Sequence, residues 1–417
     1  TSRLLLLTSA LVLASCSPDS GPVAPSAESA LLKGGVTATI GRASPAWQSL
    51  AVTASSQAAF NPIVFSRALP LLGVAQYRAV QRAEAALNHD AGNDQLNSPN
   101  GVGAGGRARL ETDRGAVAGA SAVVMTYLFP ARAAEFEALV AQQANAGPGG
   151  VHPAFRRAEA IGRAVGGEIT ARARADGFSA PPTYQPLLGP GYWVSATVPQ
   201  SVAGAQLPGV TPWFLTSASQ FRPAPPPARG TPAFEAALAE IRAIADTRTA
   251  SQSQIAGYWA LNPGTPTAAG FWLQQASMAI EATDMTELEA THVYALTSSA
   301  IFDAFIGCWD AKLAYWLIRP YQADPGLSVL ASVGRPNHPA FPSGHSCASS
   351  AGATVLAAFF PHDAARLDAM VTEAGLSRMY GGIHFRFDVD AGRALGRSVA
   401  AFAMAQDATG NSALTDR

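Results

Sequence analysis

Three short stretches in the last third of the chain place cations and imidazoles within otherwise apolar sequence. The stretches are Lys312 with Arg319-Pro320, Pro342-Ser343-Gly344-His345, and Ser377-Arg378 followed by His384 and Asp388. Charged groups are costly to bury unless they pair with one another or with a bound ion. A fold that buries these stretches must bring them together. Their side chains suit a tetrahedral oxyanion held beside two imidazoles.

The composition indicates a globular, mostly helical protein. Hydrophobic residues make up 48% of the 417 residues and charged residues 14%. The net charge of −1 argues against nonspecific binding to nucleic acid, so we expect no nucleic-acid partner. Alanine is abundant and β-branched residues are comparatively sparse, which favours helix over strand.

Lysine is scarce in this chain. Lys33 and Lys312 are its two lysines, and the other basic residues are all arginine. Lys312 lies within an apolar run, from Ala311 to Trp316. A compact ammonium differs chemically from a planar guanidinium, so this exception indicates a specific role for Lys312.

The N-terminus has the pattern of a bacterial export signal. Arg3 precedes an apolar run from Leu4 to Ala14, and Leu13-Ala14-Ser15-Cys16 resembles a lipobox. We therefore predict a lipoprotein signal peptide at 1–15 and lipid attachment at Cys16. The mature protein would be exported and anchored in the cell envelope, facing the periplasm or the cell surface. The alternative is an ordinary secretory signal with an incidental cysteine.

The remainder of the chain divides into a tether and two helical regions. Residues 16–43 are predicted to be a flexible tether, 44–260 an N-terminal helical region and 261–417 a catalytic helical region. Residues 178–232 are rich in proline and aromatic residues, and we expect them to pack against the body, as a wall over the site. Cys308 and Cys347 lie near the predicted site, and the sequence leaves open a disulfide or two buried thiols.

The spacing of the cations suggests how they are presented. Lys312 and Arg319 are seven residues apart, so on one helix they would share a face, with Pro320 ending that helix. Ser343 and Gly344 precede a helical run, where backbone N–H groups and the helix dipole favour an anion. His345 would then exchange protons with an oxygen of that anion.

The third stretch supplies a second imidazole. Gly381-Gly382 would let the chain turn, so that Arg378 and His384 both point inward. Asp388, four residues after His384, could fix the tautomer of that ring. His338 is either a modulator of His345 or an exposed loop histidine. The other four histidines have no such context, and no Cys/His cluster has the spacing of a zinc site.

The three stretches together resemble a known pattern. Lys-x6-Arg-Pro, Pro-Ser-Gly-His and Ser-Arg-x5-His-x3-Asp occur in the superfamily of type 2 phosphatidic acid phosphatases and vanadium haloperoxidases. Three further segments resemble its bacterial vanadium-haloperoxidase branch: Trp213 to Pro227, Trp259 to Trp272, and Cys308-Trp309-Asp310. The resemblance implies an all-α fold of helical bundles with long irregular connecting loops.

The resemblance also implies a cofactor and the role of each residue. Vanadate would be bound through His384, the ligand of the vanadium. Its other oxygens would be held by Lys312, Arg319, Ser343, the Gly344 amide and Arg378. His345 would be the acid–base residue, Lys312 would polarise bound peroxide, and His338 would favour bromide over chloride. The expected activity is oxidation of halide by hydrogen peroxide.

Two other functions remain open from the motifs. The same residues could form an acid phosphatase without vanadate, acting on a phosphate ester. In that enzyme His384 would attack phosphorus, Asp388 would orient His384, and His345 would protonate the leaving oxygen. The second alternative is a non-enzymatic oxyanion-binding lipoprotein, which would not need the proton-transfer residues that are present here.

Overall fold

Helices form the framework of the described part of the chain. The structure is a computed structural model that describes residues 41–94, 101–147, 149–410 and 412–415. Within these ranges no strand forms, and one isolated bridge joins Tyr192 to Leu317. The predicted all-α fold is confirmed. The predicted signal peptide, Cys16 and the tether up to residue 40 lie outside the described residues.

Thirteen α-helices are present in those ranges. They are α1 Ser44–Gln57, α2 Pro62–Asp94, α3 Gly101–Leu128, α4 Ala133–Ala144, α5 Pro153–Ala175, α6 Pro232–Thr247, α7 Ala250–Tyr258, α8 Thr267–Glu281, α9 Glu287–Tyr315, α10 Pro320–Ala323, α11 Gly344–Phe359, α12 Ala364–Tyr380 and α13 Arg386–Ala408. No helix of the described residues is long and apolar enough to cross a membrane.

Helix α9 is the central element of the fold. It packs against α2 and α8, and also against α11 and α13. Val293, Ile301 and Phe302 are all buried, although they point to different sides of the helix. A helix that is apolar on every side must be covered on every side. One hydrophobic core includes residues from both predicted helical regions, and their division at residue 260 stays a prediction.

Glycines bring α13 unusually close to α11. A Cβ added at Gly392 would lie 2.6 Å from the carbonyl oxygen of Ser343, and one at Gly396 would lie 2.3 Å from that of Cys347. No side chain fits at such distances, so these glycines permit backbone contact between the two helices. The contact fixes the N-terminal turn of α11, which carries Ser343, Gly344 and His345.

Gly396→Val is therefore expected to destabilise the protein by about 3 kcal/mol, because overpacking a close helix contact forces the backbones apart. Gly167 is the matched control, since it is exposed in the middle of α5 with no atom within 4 Å of an added Cβ. Gly167→Ala should stabilise by about 0.5–1 kcal/mol. Urea unfolding measures both changes, and equal effects at the two positions would contradict the packing argument.

The long irregular segment packs against the body, as predicted. Between α5 and α6 its one regular element is the short 3₁₀ turn Leu207–Gly209. The buried carboxylate of Asp303 on α9 accepts the backbone N–H groups of Trp213, Phe214 and Leu215, at 2.7–3.0 Å. Burial raises the pKa of Asp303 to about 6, and these three bonds oppose that rise. The anchor thus ties the middle of the segment to the central helix.

Candidate active site

The helix that carries Lys312 ends before Arg319. Helix α9 stops at Tyr315, and Trp316 adopts a left-handed backbone with φ of 52°. The prediction that Lys312 and Arg319 share one face of one helix is therefore wrong. A left-handed tryptophan is costly, and it is offset here because the ring is fully buried and its Nε1 donates to the Trp193 carbonyl at 2.9 Å.

Arg319 still reaches the site, from an extended segment. It caps the short helix α10, and its side chain is fully buried. Nη1 donates to the Ile383 carbonyl at 2.8 Å and lies 3.0 Å from Nε2 of His384. Nη2 lies 3.0 Å from Nδ1 of His338. One guanidinium thus holds both imidazoles in position.

The hydrogen bonds of His384 define its tautomer. A guanidinium can only donate, so Nε2 of His384 is the acceptor from Arg319. The proton is then on Nδ1, which donates to Oδ2 of Asp388 at 2.9 Å. The same carboxylate oxygen accepts the Phe385 N–H at 3.0 Å. The contact arises across the N-cap of α13, because His384 precedes the helix and Asp388 lies within its first turn.

Burial keeps His384 neutral. It lowers the pKa of His384 well below the usual range, and the cations Arg319 and Lys312 lower it further. Burial raises the pKa of Asp388 to about 7, although the Phe385 N–H and the nearby cations oppose that rise. A neutral ring with its proton on Nδ1 keeps its ring lone pair on Nε2, where it accepts from Arg319. An oxyanion centre that replaces this hydrogen bond could use the same lone pair, with His384 as ligand or nucleophile.

Ser343 and Gly344 lie at the start of α11, as the sequence predicts. Ser343 is the N-cap, and its Oγ accepts the Ser346 N–H at 3.4 Å. Its own N–H donates to the Asp388 carbonyl at 2.9 Å, which joins the start of α11 to α13. Gly344 is the first residue of the helix, so its N–H has no intrahelical acceptor. That N–H is available to an anion at this helix end.

His345 lies against the two residues that follow α7 and presents a free ring nitrogen. The backbone of Trp259 and Ala260 hydrogen-bonds the ring. Nε2 is buried and has no hydrogen-bond partner among the described residues. Burial lowers the pKa of His345 well below the usual range, and Arg378 lowers it further. His345 is therefore neutral, and its Nε2 can accept a proton.

Arg378 is the third buried cation of the site. Its Nε donates to Oγ of Ser377 at 2.9 Å, and its Nη2 donates to the Ala256 carbonyl at 3.0 Å. Its Nη1 makes no hydrogen bond within the described residues. Burial lowers the pKa of Arg378 to about 9, and Arg319 lowers it further. As predicted, the chain turns after Arg378, where Gly382 has φ of 76°.

Lys312 anchors a loop of the site through all three of its protons. Its ammonium donates to the carbonyls of Pro339 and Ala340 at 2.9 Å each, and of Pro342 at 2.5 Å. These bonds hold the loop that leads from His338 to Ser343. The resemblance assigns Lys312 a direct contact with an oxyanion, and that contact stays a prediction. The charge acts on the site in any case, because it depresses the pKa of His384.

The affinity for an oxyanion is expected to fall at alkaline pH because of Lys312. Burial lowers the pKa of Lys312 to about 8, and a bound anion would raise it again. Binding therefore favours the charged lysine, and affinity should fall about tenfold per pH unit above pH 8. Calorimetric titration with tungstate, a tetrahedral dianion of constant charge in this range, measures the slope. Lys312→Arg should flatten it, and an equal slope in both proteins would contradict this assignment.

His338 is part of the cluster rather than an exposed loop residue. Its Nδ1 and its backbone carbonyl both contact the Arg319 guanidinium. Its ring lies 5.0 Å from the Trp309 ring, between centroids. Burial lowers the pKa of His338 well below the usual range, and Lys312 and Arg319 lower it further. His338 is thus placed to influence His384 through the guanidinium that they share.

The two cysteines near the site are free thiols. Cys308 on α9 and Cys347 on α11 are both fully buried, and no disulfide joins them. Cys308 Sγ also lies 3.8 Å from the Pro342 carbonyl, which Lys312 binds as well. Of the two alternatives from the sequence, the structure has the pair of buried thiols.

The charge balance of the site fits a bound oxyanion. Lys312, Arg319 and Arg378 bring three buried cations together, with Asp388 as the carboxylate that faces them. The hydrogen bonds of Arg378 with described residues use Nε and Nη2 and leave Nη1 for a ligand. Nε2 of His345 is a buried nitrogen with no partner among the described residues. Excess buried positive charge beside free hydrogen-bonding groups is best satisfied by an anion with several oxygens. A tetrahedral oxyanion such as vanadate or phosphate meets that description.

Sequence reasoning missed the contribution of α7. The carbonyl of Ala256 holds Arg378, and the backbone of Trp259 and Ala260 holds His345. These contacts use backbone atoms, so no residue type marks them in the sequence. The aromatic residues from Trp259 to Trp272 are the one signal at this position, and they suggest packing rather than a catalytic role.

Comparisons with known proteins agree with the motifs. Residues 290–411 match the model of the PAP2 superfamily. A search of curated proteins gave no match. The structure is similar to that of a bacterial vanadium-dependent iodoperoxidase, with a TM-score of 0.69 and 24% identity, covering 86% of this chain and 95% of that one. The match supports the resemblance to this superfamily over residues 290–411, and the likeness to the iodoperoxidase shows that the two chains share a fold.

A second solved structure extends the likeness. The holo form of a bacterial vanadium-dependent chloroperoxidase has a TM-score of 0.62 at 14% identity, covering 82% of this chain and 90% of that one. At such identities the likeness shows the fold. It extends well beyond residues 290–411 and includes the N-terminal helices.

Proposed function

We propose that the protein is a vanadate-dependent haloperoxidase that oxidises halide with hydrogen peroxide. One observation carries the proposal: the buried Arg319 contacts Nε2 of His384 at 3.0 Å, and Asp388 fixes the other nitrogen of that ring. The buried cations Lys312 and Arg378 lie near enough to lower the pKa of His384 as well. This arrangement provides a ligand atom and the positive charge that a bound oxyanion needs. The likeness to bacterial vanadium haloperoxidases over most of the chain supports vanadate as that oxyanion.

Different residues would bind the vanadium and its oxygens. His384 Nε2 would be the ligand of the vanadium, and the guanidinium groups of Arg319 and Arg378 would bind oxygens. Ser343 Oγ and the Gly344 N–H would bind further oxygens at the start of α11, and the Lys312 ammonium would add its charge. When bound, vanadate supplies a Lewis acid that activates hydrogen peroxide toward halide.

His345 has the position and protonation state of a general base. Its Nε2 is neutral and free, and Arg378 lies close enough to depress its pKa. It would take a proton from hydrogen peroxide and later return one to a departing oxygen. Asp388 would keep the His384 proton on Nδ1 throughout, because a wrong tautomer would block the ligand atom.

Bromide is the halide that we propose over chloride. The support is His338, which contacts Arg319 and so couples to the ligand His384. The solved relatives are an iodoperoxidase and a chloroperoxidase, so the assignment depends on this residue of the chain itself. Comparing kcat/KM for chloride, bromide and iodide in the native protein and in His338→Phe tests it.

An acid phosphatase is the second candidate, and the match of residues 290–411 to the PAP2 superfamily favours it. Nε2 of His384 would attack phosphorus, forming a P–N bond as the P–O bond to the leaving group breaks. His345 in its protonated form would donate its proton to the leaving oxygen, and water would then hydrolyse the phosphohistidine. Vanadate would inhibit this enzyme rather than activate it. A bare oxyanion-binding protein remains the third candidate.

One paired assay separates these functions. The purified protein is incubated with orthovanadate, hydrogen peroxide and bromide, and bromination of a dimedone dye is followed. The vanadate-free protein is assayed in parallel on an aryl phosphate. Bromination that depends on vanadate supports the proposal. Phosphatase activity without bromination would favour the acid phosphatase instead. Absence of both activities would favour the non-enzymatic oxyanion-binding protein.

The location that we propose is the cell envelope, with a lipid anchor at Cys16. The support is the lipobox-like Leu13-Ala14-Ser15-Cys16, which precedes the described residues. Incorporation of labelled palmitate into the expressed protein, and its loss in Cys16→Ser, tests the anchor.

A further inference from the structure

The exposed large apolar side chains of the described residues all lie in one short loop. They are Leu187, Leu188, Tyr192, Val194 and Val198. Leu188 is 77% exposed and Val198 is 99% exposed. We call residues 187–198 the apolar loop. Single exposed apolar residues are normal on a protein surface, whereas such a concentration marks a binding surface.

The apolar loop lies in a long part of the sequence without charge. From Gly177 to Phe221 there is no Asp, Glu, Lys, Arg or His. Exposed loops of soluble proteins ordinarily carry charged residues, and protein interfaces keep charged residues at their rim. An exposed apolar loop within a segment that has no charged side chain is matched best by an environment in which charge is costly, such as the boundary of a lipid bilayer.

The two aliphatic hydroxyls of this loop, on Ser195 and Thr197, already have protein partners. Ser195 Oγ lies 2.8 Å from Thr197 Oγ1 and donates to Asn337 Oδ1 at 3.0 Å. Thr197 Oγ1 lies 2.7 Å from Ser201 Oγ. Hydroxyl groups that are paired internally lose little when water is removed from around them. The loop can therefore enter an apolar environment at low cost.

The inner edge of the loop is fixed to the body, so its apolar side chains point outward. The carbonyl of Gly191 accepts the Ile318 N–H at 3.0 Å, and Trp193 N–H donates to the Trp316 carbonyl at 2.8 Å. The carbonyl of Val194 accepts from Gln322 Nε2 at 2.7 Å. The Trp193 ring is buried on this inner side.

A cation lies at the base of the loop. The exposed side chain of Arg229 lies against Gly191, and it makes no ion pair with a described residue. Long basic side chains beside an apolar surface commonly reach lipid phosphates. Tyr192 is partly exposed next to it, and tyrosine is a residue of membrane interfaces.

We propose that the apolar loop docks this protein onto a lipid surface. Leu188, Val194 and Val198 enter the boundary between head groups and acyl chains, and Arg229 contacts the lipid phosphates. The contact is peripheral and independent of any acyl group on Cys16. It also does not depend on the reaction, because none of these residues belongs to the active site. The occupant is lipid rather than protein because the loop lacks the charges of a protein interface.

Insertion can be measured directly at Val198. The chain from residue 16 onward, with Cys16→Ser to prevent acylation, keeps two thiols, and both are fully buried. Val198→Cys then offers an exposed thiol for an environment-sensitive dye. Ala236→Cys, at an exposed position on α6, is the matched control. On vesicles of phosphatidylcholine with phosphatidylglycerol, the dye at 198 should shift to the blue, and the dye at 236 should not.

The binding strength gives a second readout. Leu188→Ser with Val198→Ser should lower the vesicle partition coefficient at least roughly tenfold, because each side chain loses apolar burial. Arg229→Gln should weaken binding to vesicles that contain phosphatidylglycerol by about fivefold, and to pure phosphatidylcholine hardly at all. Ala236→Ser with Ala243→Ser should leave partition unchanged. Thermal melts of the exposed-loop variants should match the parent, since no packing is lost.

Three results would overturn the proposal. One is absence of binding to vesicles by the parent chain, and another is equal partition of the parent and the loop variant. The third is a dimer in sedimentation equilibrium that the loop substitutions dissociate, since the loop would then bind a second copy of the chain.

Discussion

His384→Ala is expected to lower the rate of halide oxidation by roughly 10⁴-fold or more, because it removes Nε2, the proposed ligand of the vanadium. Arg319 and Asp388 hold the two nitrogens of this ring at 3.0 and 2.9 Å. No other described imidazole takes this position, because His345 lies against the backbone of Trp259 and Ala260 and His338 contacts the other terminal nitrogen of Arg319. If the protein is the phosphatase, the same substitution removes the nucleophile and the loss should be as large.

Two controls distinguish a lost ligand from a lost fold. His362→Ala changes an exposed histidine at the start of the segment before α12 and should leave activity unchanged. Free imidazole added to His384→Ala should restore part of the activity by filling the space left by the ring. An activity of His384→Ala within tenfold of the wild type would show that His384 is not the ligand.

Asp388→Asn is expected to lower turnover by roughly 10²–10⁴-fold through the tautomer of His384. The carboxylate can only accept, which forces the proton onto Nδ1. An amide can present its NH₂ group to Nδ1 instead, which would move the ring proton to Nε2. Nε2 of His384 would then carry a proton and face the N–H groups of Arg319, which are also donors. Without a lone pair, Nε2 could no longer act as a ligand.

The position of Asp388 makes the test specific. Its Oδ2 also accepts the Phe385 N–H, and its backbone carbonyl accepts the Ser343 N–H. His384 and Phe385 share this one oxygen position, so an amide that turns its NH₂ group toward Nδ1 loses the Phe385 bond. The Ser343 bond does not involve the side chain and is kept. The expected result is a loss in kcat of that size with a fall of only about 1–2 kcal/mol in unfolding free energy, the cost of one unpaired N–H. A fall in stability that matches the fall in activity would make Asp388 a structural residue instead.

Local sequence predicted the parts of the site that depend on local physics. Ser343 is the N-cap of α11 because a serine before a helical run favours that position. Gly382 adopts a positive φ after Arg378, as a glycine pair permits. The scarcity of lysine marked Lys312, which proves to be fully buried.

Other parts depend on contacts between residues far apart in the chain, and the sequence could not predict them. Helix α9 ends at Trp316 because that ring binds the carbonyl of Trp193, which is 123 residues away. The seven-residue spacing of Lys312 and Arg319 in the sequence had predicted that the helix continues to Arg319. The carbonyl of Ala256 that holds Arg378, and the carbonyls that hold Lys312, are backbone atoms. Any residue type can supply them, so they leave no pattern to find.

The central claim is that Arg319, Arg378, Lys312 and His384 form one oxyanion site. Calorimetric titration of the native protein with orthovanadate, without peroxide, tests it most directly, with Arg378→Ala as the comparison. We expect saturable binding of one vanadate per chain, competed by phosphate and weakened roughly 100-fold in Arg378→Ala, because that variant loses a buried charge-assisted contact. Absence of saturable binding, or equal affinity in both proteins, would contradict the claim.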